Sequence, residues 1–217
     1  MSNCKKVLIL LSGGQDSTTC LFWAIREFGK DNVWAIGFDY GQRHKLELEC
    51  AAEICKNLGI DFKVFDLPLI SELTKNSLTD LSIAVDTVKP QDAPPNSLVD
   101  GRNLLFISYS AIYAKQHGIN NIVVGVSEAD SSGYPDCRLD FIKSLNHTLN
   151  LGFDYKFNLL TPLMNLAKAQ VWGLADDLGV TDIIKQKTLT CYNGIIGDGC
   201  MDCPACKLRR KGELEYV

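Results

Sequence analysis

The chain has 217 residues, 46% hydrophobic and 22% charged, with a formal net charge of −4. That length fits one α/β domain with a small appendage, and the composition excludes disorder across the chain. No apolar run approaches the ~20 residues of a membrane-spanning helix, and the acidic balance argues against broad non-specific binding to nucleic acid.

Residues 7–11 are a continuous apolar run, read as a strand buried on both faces. Ser-Gly-Gly follows it rather than a small-residue cleavage site, so the run is not read as a signal peptide. Leu21, Ala24, Ile25 and Phe28 then recur at helical spacing, with Gly29 as the stop. Residues 33–38 are a second strand, 45–58 a helix and 62–65 a third strand. This alternation implies right-handed crossovers and a parallel sheet. Residues 67–100 are rich in Ser, Thr, Asp and Pro and read as an excursion over the active-site face, with a short helix near 71–75. Order returns with a helix over 103–117, a strand over 121–126, a helix over 136–151, a short strand over 156–160 and a helix over 165–178.

The nine cysteines are an odd number, which suits a reducing cytosol better than a disulfide framework. Cys20, Cys50 and Cys55 fall where helices turn inward and read as core packing. Cys4 carries no readable signal. Cys191, Cys200, Cys203 and Cys206 crowd together, with two tandem x2 spacings that aim sulfurs at one point. Tetrahedral zinc takes four such ligands. A redox pair at Cys200 and Cys203 and an iron–sulfur cluster are the alternatives. Lys207, Arg209, Arg210 and Lys211 follow; the acidic chain favours a solvated helix face over a basic patch.

Ser12-Gly13-Gly14-Gln15-Asp16-Ser17-Thr18 joins the first strand to a helix. Its glycines allow close backbone approach, and a helix start presents free N–H groups. Physically this is a phosphate cradle; a Gly-rich turn with a Ser or Asp cap is the plainer reading. No lysine lies between Lys6 and Lys30, which excludes the mononucleotide loop of kinases and GTPases. The spacing also excludes the dinucleotide fingerprint.

Tyr40-Gly41-Gln42-Arg43-His44 follows the second strand, at the sheet edge where ligands bind. Arg43 and His44 fit phosphate contact or acid–base work, or simply a polar helix entry. Arg102 fits a clamp on phosphate or carboxylate, and Asn103 a helix cap. Asp136 can accept two hydrogen bonds from a guanine-like edge, with Tyr134 as an aromatic wall; Asp136 also fits an N-cap. His117 and His147 read as structural or exposed.

The loop, placed after the first strand, resembles that of the N-type ATP pyrophosphatase (PP-loop) superfamily. The loop, YGQRH, GRN, SGYPDC, TPLMNLAKAQ and the cysteine quartet together resemble the 7-cyano-7-deazaguanine synthase family of queuosine precursor biosynthesis, over about residues 7–210. The resemblance implies a Rossmann-like parallel sheet flanked by helices, of the adenine nucleotide alpha hydrolase type. It implies a body over 1–180 and a small zinc-binding lobe over 181–217. ATP binding falls on Leu11, Ser12, Gly13, Gly14, Gln15, Asp16, Ser17, Thr18, Thr19, Cys20 and Leu21. Catalytic roles fall on Asp16, Ser17, Arg43, His44 and Arg102, and substrate contacts on Tyr40, Arg102, Asn103, Tyr134 and Asp136.

The implied reaction joins 7-carboxy-7-deazaguanine and ammonia with two ATP, through adenylated carboxylate and amide, to the nitrile. The cofactors implied are Mg²⁺ and one structural zinc. A cytoplasmic homodimer follows from the same resemblance, with no membrane and no stable nucleic-acid partner. Ammonia is expected from solution or a separate partner, since no glutamine-hydrolysing unit is apparent. Val99-Asp100 departs from the family's Val-Pro, freeing that turn and adding a negative charge near Arg102. Other readings are a tRNA-modifying thiolase, which needs a persulfide-carrying cysteine beside the nucleotide, and a non-enzymatic zinc-knuckle RNA binder.

Overall fold

Among the described residues the apolar runs become five strands: β1 (Val7–Leu10), β2 (Val33–Asp39), β3 (Phe62–Asp66), β4 (Asn121–Val123) and β5 (Asn158–Leu160). They form one sheet in the order β3-β2-β1-β4-β5, every pair parallel. The computed structural model describes residues 6–87, 94–128 and 134–216. Cys4, residues 88–93 of the excursion, and Ser132-Gly133 lie outside the described residues.

Central β1 is covered on both faces, which is why it reads as an uninterrupted apolar run. Val7 and Ile9 join Leu21 of α1 (Gln15–Phe28), Ala51 and Ile54 of α2 (Leu46–Leu58) and Val171 of α6 (Lys168–Asp177) in one core. Leu8 points the other way, to Ile107 of α4 (Arg102–Gln116) and Ile142 of α5 (Leu139–Phe153). A fully buried Leu or Ile contributes about 1.5–3 kcal/mol. Cys20, Cys50 and Cys55 are buried in cores, as their helical positions imply.

The excursion carries α3 (Leu69–Leu73), two residues before the expected helix. Ile70, Leu78 and Val99 pack with Tyr40 in a small core of their own. Strand β4 is shorter than expected: the Val124 N–H makes a last bond to the Leu160 carbonyl at 2.9 Å, and 124–126 line a cavity. Helix α6 starts three residues late: the Ala167 N–H donates to Gln170 Oε1 at 2.9 Å and the Gln170 N–H donates back to the Ala167 carbonyl at 2.8 Å, which fixes the start there.

Two helices beyond 180 are unanticipated. They are α7 (Thr181–Lys187) and α8 (Pro204–Tyr216). The charges of α8 read as a solvated face, but Arg209 is buried. It donates to Thr188 Oγ1 at 2.9 Å, Thr190 Oγ1 at 3.0 Å and the Ile184 carbonyl at 2.7 Å. Trp172 Nε1 donates to the Arg209 carbonyl at 3.1 Å, so α8 is clasped onto α6.

The chain runs outward from β1 through β2 to β3, then crosses back to β4 on the other side of β1. Connections diverge where the order reverses, leaving a crevice beyond the strand ends. The loop after β1 sits there.

Candidate active site

The crevice holds a cavity of about 710 Å³. One wall is the turn from β1 into α1. Helix α1 opens at Gln15, whose N–H donates to Thr190 Oγ1 at 3.4 Å; Gly14 precedes it without a side-chain cap, so the next first-turn N–H groups remain for an anion. Ser17 Oγ accepts from the Ser12 N–H at 3.2 Å, the two serine hydroxyls lie 3.0 Å apart, and the Gly14 N–H donates to Ser12 Oγ at 3.4 Å. The turn is therefore shaped before any ligand arrives. Gly13 has φ +88°, and a Cβ there would lie 1.9 Å from the Glu47 carbonyl oxygen. Only glycine lets the loop run this close to α2.

Lys168, the first residue of α6, reaches Asp16: Nζ lies 2.8 Å from Oδ1 and 2.9 Å from Oδ2. The cation missing from the loop's own sequence thus comes from a distant segment. Gln15 is 2% exposed, lines the cavity, and leaves both side-chain polar atoms without a hydrogen-bond partner among the described residues. A buried amide in that state suits a polar ligand. Leu11, Ser12, Gly14, Gln15, Asp16 and Ser17 line the cavity. Thr18, Thr19, Cys20 and Leu21 do not; they have no exposure, because α1 turns them into the core. Thr19 Oγ1 donates to the Gln15 carbonyl at 2.9 Å.

The opposite wall is built around Arg102 at the start of α4. Its Nη1 donates to the Tyr40 hydroxyl at 3.4 Å, and its charge also acts on the phenols of Tyr134 and Tyr192. Burial raises the Tyr40 and Tyr192 phenols above their usual range, so they stay neutral. Ser97 Oγ and Tyr134 OH lie 2.8 Å apart, joining the excursion to this group. Asp100 is exposed.

Other expected residues have different work. Asp136 does not line the cavity: its Oδ2 accepts the Asn103 N–H at 2.9 Å and satisfies the N-terminus of α4. Nor does Asp136 cap its own helix, since α5 starts at Leu139. Asn103 is the second residue of α4 rather than its cap, and its Nδ2 donates to Cys137 Sγ at 3.4 Å. Arg43 lines the cavity, but its guanidinium donates to the carbonyls of Ser77 at 3.0 Å, Asp80 at 3.3 Å and Ile83 at 2.7 Å. Those bonds hold the excursion against the mouth, which leaves the group committed. The His44 ring lies so close to Gly194 that a Cβ there would come within 2.7 Å of Nδ1, and His44 Nε2 is buried without a partner among the described residues.

Lys168 and Glu47 escape the sequence reading. The signal for Lys168 is a lone lysine in the mostly apolar stretch 163–169; for Glu47 it is a carboxyl at the second position of a helix that starts at the sheet's ligand edge. Glu47 is partly buried and lines the cavity, with Gln42 Nε2 donating to its Oε1 at 3.3 Å. Burial pushes its carboxyl up to about 7, against the opposing charge of Arg102 and the bond from Gln42.

The four cysteines lie beside this cavity, with ligand sulfurs all within 4.8 Å of one another. Tetrahedral zinc at about 2.3 Å from each sulfur needs a spacing of about 3.8 Å, so a small inward shift of these sulfurs would let the set hold it. A Cβ at Gly199 would come within 2.3 Å of Cys206 Sγ, so the knuckle needs glycine. Burial works against the Cys200 thiolate, but N–H groups of Cys203 and Asp202 and the Asn193 amide bring its thiol down to about 6. That thiolate-ready state suits a metal ligand.

The chain matches the family model "Queuosine biosynthesis protein QueC" over residues 6–217. It is 60% identical over 214 residues to a 7-cyano-7-deazaguanine synthase of Clostridium acetobutylicum, covering 99% of this chain and 96% of the relative. It is 57% identical over 215 residues to one of Phocaeicola vulgatus, again covering 99% and 96%. Among solved structures, it resembles an NH3-dependent NAD synthetase from Campylobacter jejuni with a TM-score of 0.51 and 18% identity, covering 87% of this chain and 70% of that one. That likeness concerns the fold alone. No helix among the described residues is long and apolar enough to cross a membrane.

Proposed function

The chain belongs to the queuosine biosynthesis protein QueC family, and from that premise we propose that it is an ATP-dependent ligase making 7-cyano-7-deazaguanine from 7-carboxy-7-deazaguanine and ammonia. The observation that carries this reading is one cavity joining an anion-binding helix start to a buried arginine among phenols. Such a cavity can hold a nucleotide's phosphates at one end and a flat, charged heterocycle at the other.

In this reading the first-turn N–H groups of α1, with Ser12 and Ser17, receive the departing pyrophosphate. Lys168 adds positive charge where negative charge builds, and Asp16 sets the position of its Nζ. Arg102 steers the substrate carboxylate, and later the amide oxygen, toward the α-phosphorus. Tyr40 and Tyr134 flank the ring. Mg²⁺ accompanying ATP would be held by the loop carboxylate Asp16 and would neutralise phosphate charge. The four cysteines would hold zinc at the edge of the cavity, as a closed four-sulfur site, and stiffen the base of α8. The division into a body (1–180) and a metal-binding lobe (181–217), a homodimer, and residence in a reducing cytosol belong to the same proposal; exposed Leu104, Tyr109 and Ile112 along α4 offer a face for a second copy.

Burial pushes the Cys137 thiol up to about 11, and the nearby Asp136 adds to the rise. That disfavours a persulfide-carrying nucleophile and hence the thiolase reading. The test is mass spectrometry of a reaction holding protein, ATP, Mg²⁺, ammonium and the carboxylate. The expected result is the nitrile with two AMP for each nitrile formed. AMP without nitrile would point to another acceptor, and no AMP would end the adenylation reading.

A further inference from the structure

Nitrile formation needs more than adenylation. When ammonia attacks the acyl adenylate, a C–N bond forms and the C–O bond to AMP breaks, the oxygen leaving with its electron pair. The new nitrogen must then lose one proton to become the amide. In the second round the amide oxygen bonds to the α-phosphorus and pyrophosphate leaves. The nitrogen then gives up two protons as its electrons form the C≡N bond and AMP departs. Three protons therefore leave nitrogen in each catalytic cycle, and none of the groups assigned above accepts them.

The cavity offers few acceptors. Asp16 is engaged twice by Lys168. Asp136 accepts from the Asn103 N–H and lies off the wall. Asp86 accepts from the Asn96 N–H at 3.3 Å within the excursion. Burial keeps Tyr40, Tyr192 and Cys137 protonated. His44 lines the cavity too, but its ring packs on Gly194 of the cysteine lobe and its Nε2 is buried, so it is kept as the rival acceptor in the test below. Glu47 remains. It lines the cavity, and its backbone carbonyl abuts Gly13 of the loop. Among the described residues a single hydrogen bond, from Gln42 Nε2, reaches its carboxyl, and no Lys or Arg forms an ion pair with it. Its backbone adjoins the loop before α1 and the charge of Arg102 acts on its carboxyl, so it shares the cavity with both features that bracket the reacting carbon in the reading above.

We infer that Glu47 is the general base that takes the protons from the substrate nitrogen and passes them to solvent. This rests on the ligase reading. Its ionisation supports the role: a carboxyl held near 7 takes up a proton readily and releases it at neutral pH. The groups acting on it are Arg102 from α4, Tyr40 from the end of β2 and Cys50 from the next turn of α2.

The test starts from the 7-carboxamide instead of the carboxylate, so that the titration of ammonia plays no part. Two rates are read for wild type, Glu47→Gln, Glu47→Asp and His44→Asn: amide-dependent exchange of labelled pyrophosphate into ATP, and nitrile formation in a single turnover across about pH 5.5–9. Wild-type nitrile formation is expected to rise through about pH 7. Glu47→Gln should keep exchange within about 3-fold while nitrile formation drops about 10²-fold or more and loses its pH dependence. Glu47→Asp should recover part of the rate together with the pH limb. Exchange and nitrile formation falling together in Glu47→Gln would overturn the assignment, as would a nitrile rate within about 3-fold of wild type. Loss of the pH limb in His44→Asn but not in Glu47→Gln would move the role to His44. A wild type with no amide-dependent exchange would instead overturn the ligase reading on which the assignment rests.

Discussion

Lys168 Nζ bridges both carboxylate oxygens of Asp16, at 2.8 and 2.9 Å, although the two residues lie 152 positions apart. The lysine is nearly buried and the aspartate a third exposed. Helix α6 thereby delivers a cation to the loop after β1, whose own sequence has none. Removing Lys168 leaves a half-buried carboxylate uncompensated beside the anion site. Lys168→Ala is expected to cost about 1–2 kcal/mol of stability, less than a fully buried pair would, and about 10²-fold in kcat/KM for ATP. Thermal unfolding and steady-state kinetics check both. Normal kinetics with lowered stability would confine the pair to the fold.

Arg43 shows the opposite pattern, a residue whose motif suggests chemistry but whose bonds hold a loop. Its guanidinium secures the carbonyls of Ser77, Asp80 and Ile83. Arg43→Ala should therefore speed proteolytic cleavage within 77–87 and lower kcat about 10-fold, with KM for ATP nearly unchanged. Unchanged cleavage with a large rise in that KM would return Arg43 to the phosphates.

Glu47 carries a stability signature separate from its chemistry. Its carboxyl sits at about 7 in the fold, above its ordinary value near 4.5. The folded state therefore holds a proton that the unfolded chain releases, so its stabilising contribution is present below about pH 4.5 and fades as pH rises through about 7. Glu47→Gln removes that loss. The variant should unfold at a higher temperature than wild type at pH 8, by a free energy on the order of 1–3 kcal/mol, and about equally at pH 4.5. An identical difference at both pH values would rule out a raised carboxyl.

The sheet is legible in the sequence because strands covered on both faces are written as unbroken apolar runs, as in β1 and β2. The cysteine quartet is legible because its ligands lie within one short segment. Lys168 and Arg209 are not. Each takes its role from partners brought close by α6 and α8, and a row of charges such as 207–211 looks the same whether one member is buried or none is. Asp136 misleads for a related reason: its partner, the Asn103 N–H, is a backbone group 33 positions away. Thr18 to Leu21 are attributed to ATP by motif, whereas α1's rotation turns them inward.

Zinc removal tests the base of α8. The cysteine segment contributes Thr188, Thr190 and Cys191 to the surroundings of Arg209 and of the cavity. Cys203→Ala, or treatment with a strong chelator, should release about one zinc for each chain. Unfolding should then shift down by about 5–15 °C, with ATP affinity changing less than about 5-fold. Full metal content and an unmoved transition in Cys203→Ala would show that the quartet is no zinc site.

The central claim is that substrate oxygen, twice in succession, becomes the nucleophile on the α-phosphorus. Carboxylate labelled with ¹⁸O at both oxygens tests it directly. Each nitrile formed should release two AMP, each carrying one ¹⁸O on its phosphate, because the first oxygen leaves with the acyl adenylate and the second with the adenylated amide. AMP free of label, with ¹⁸O found in pyrophosphate or water instead, would contradict the account.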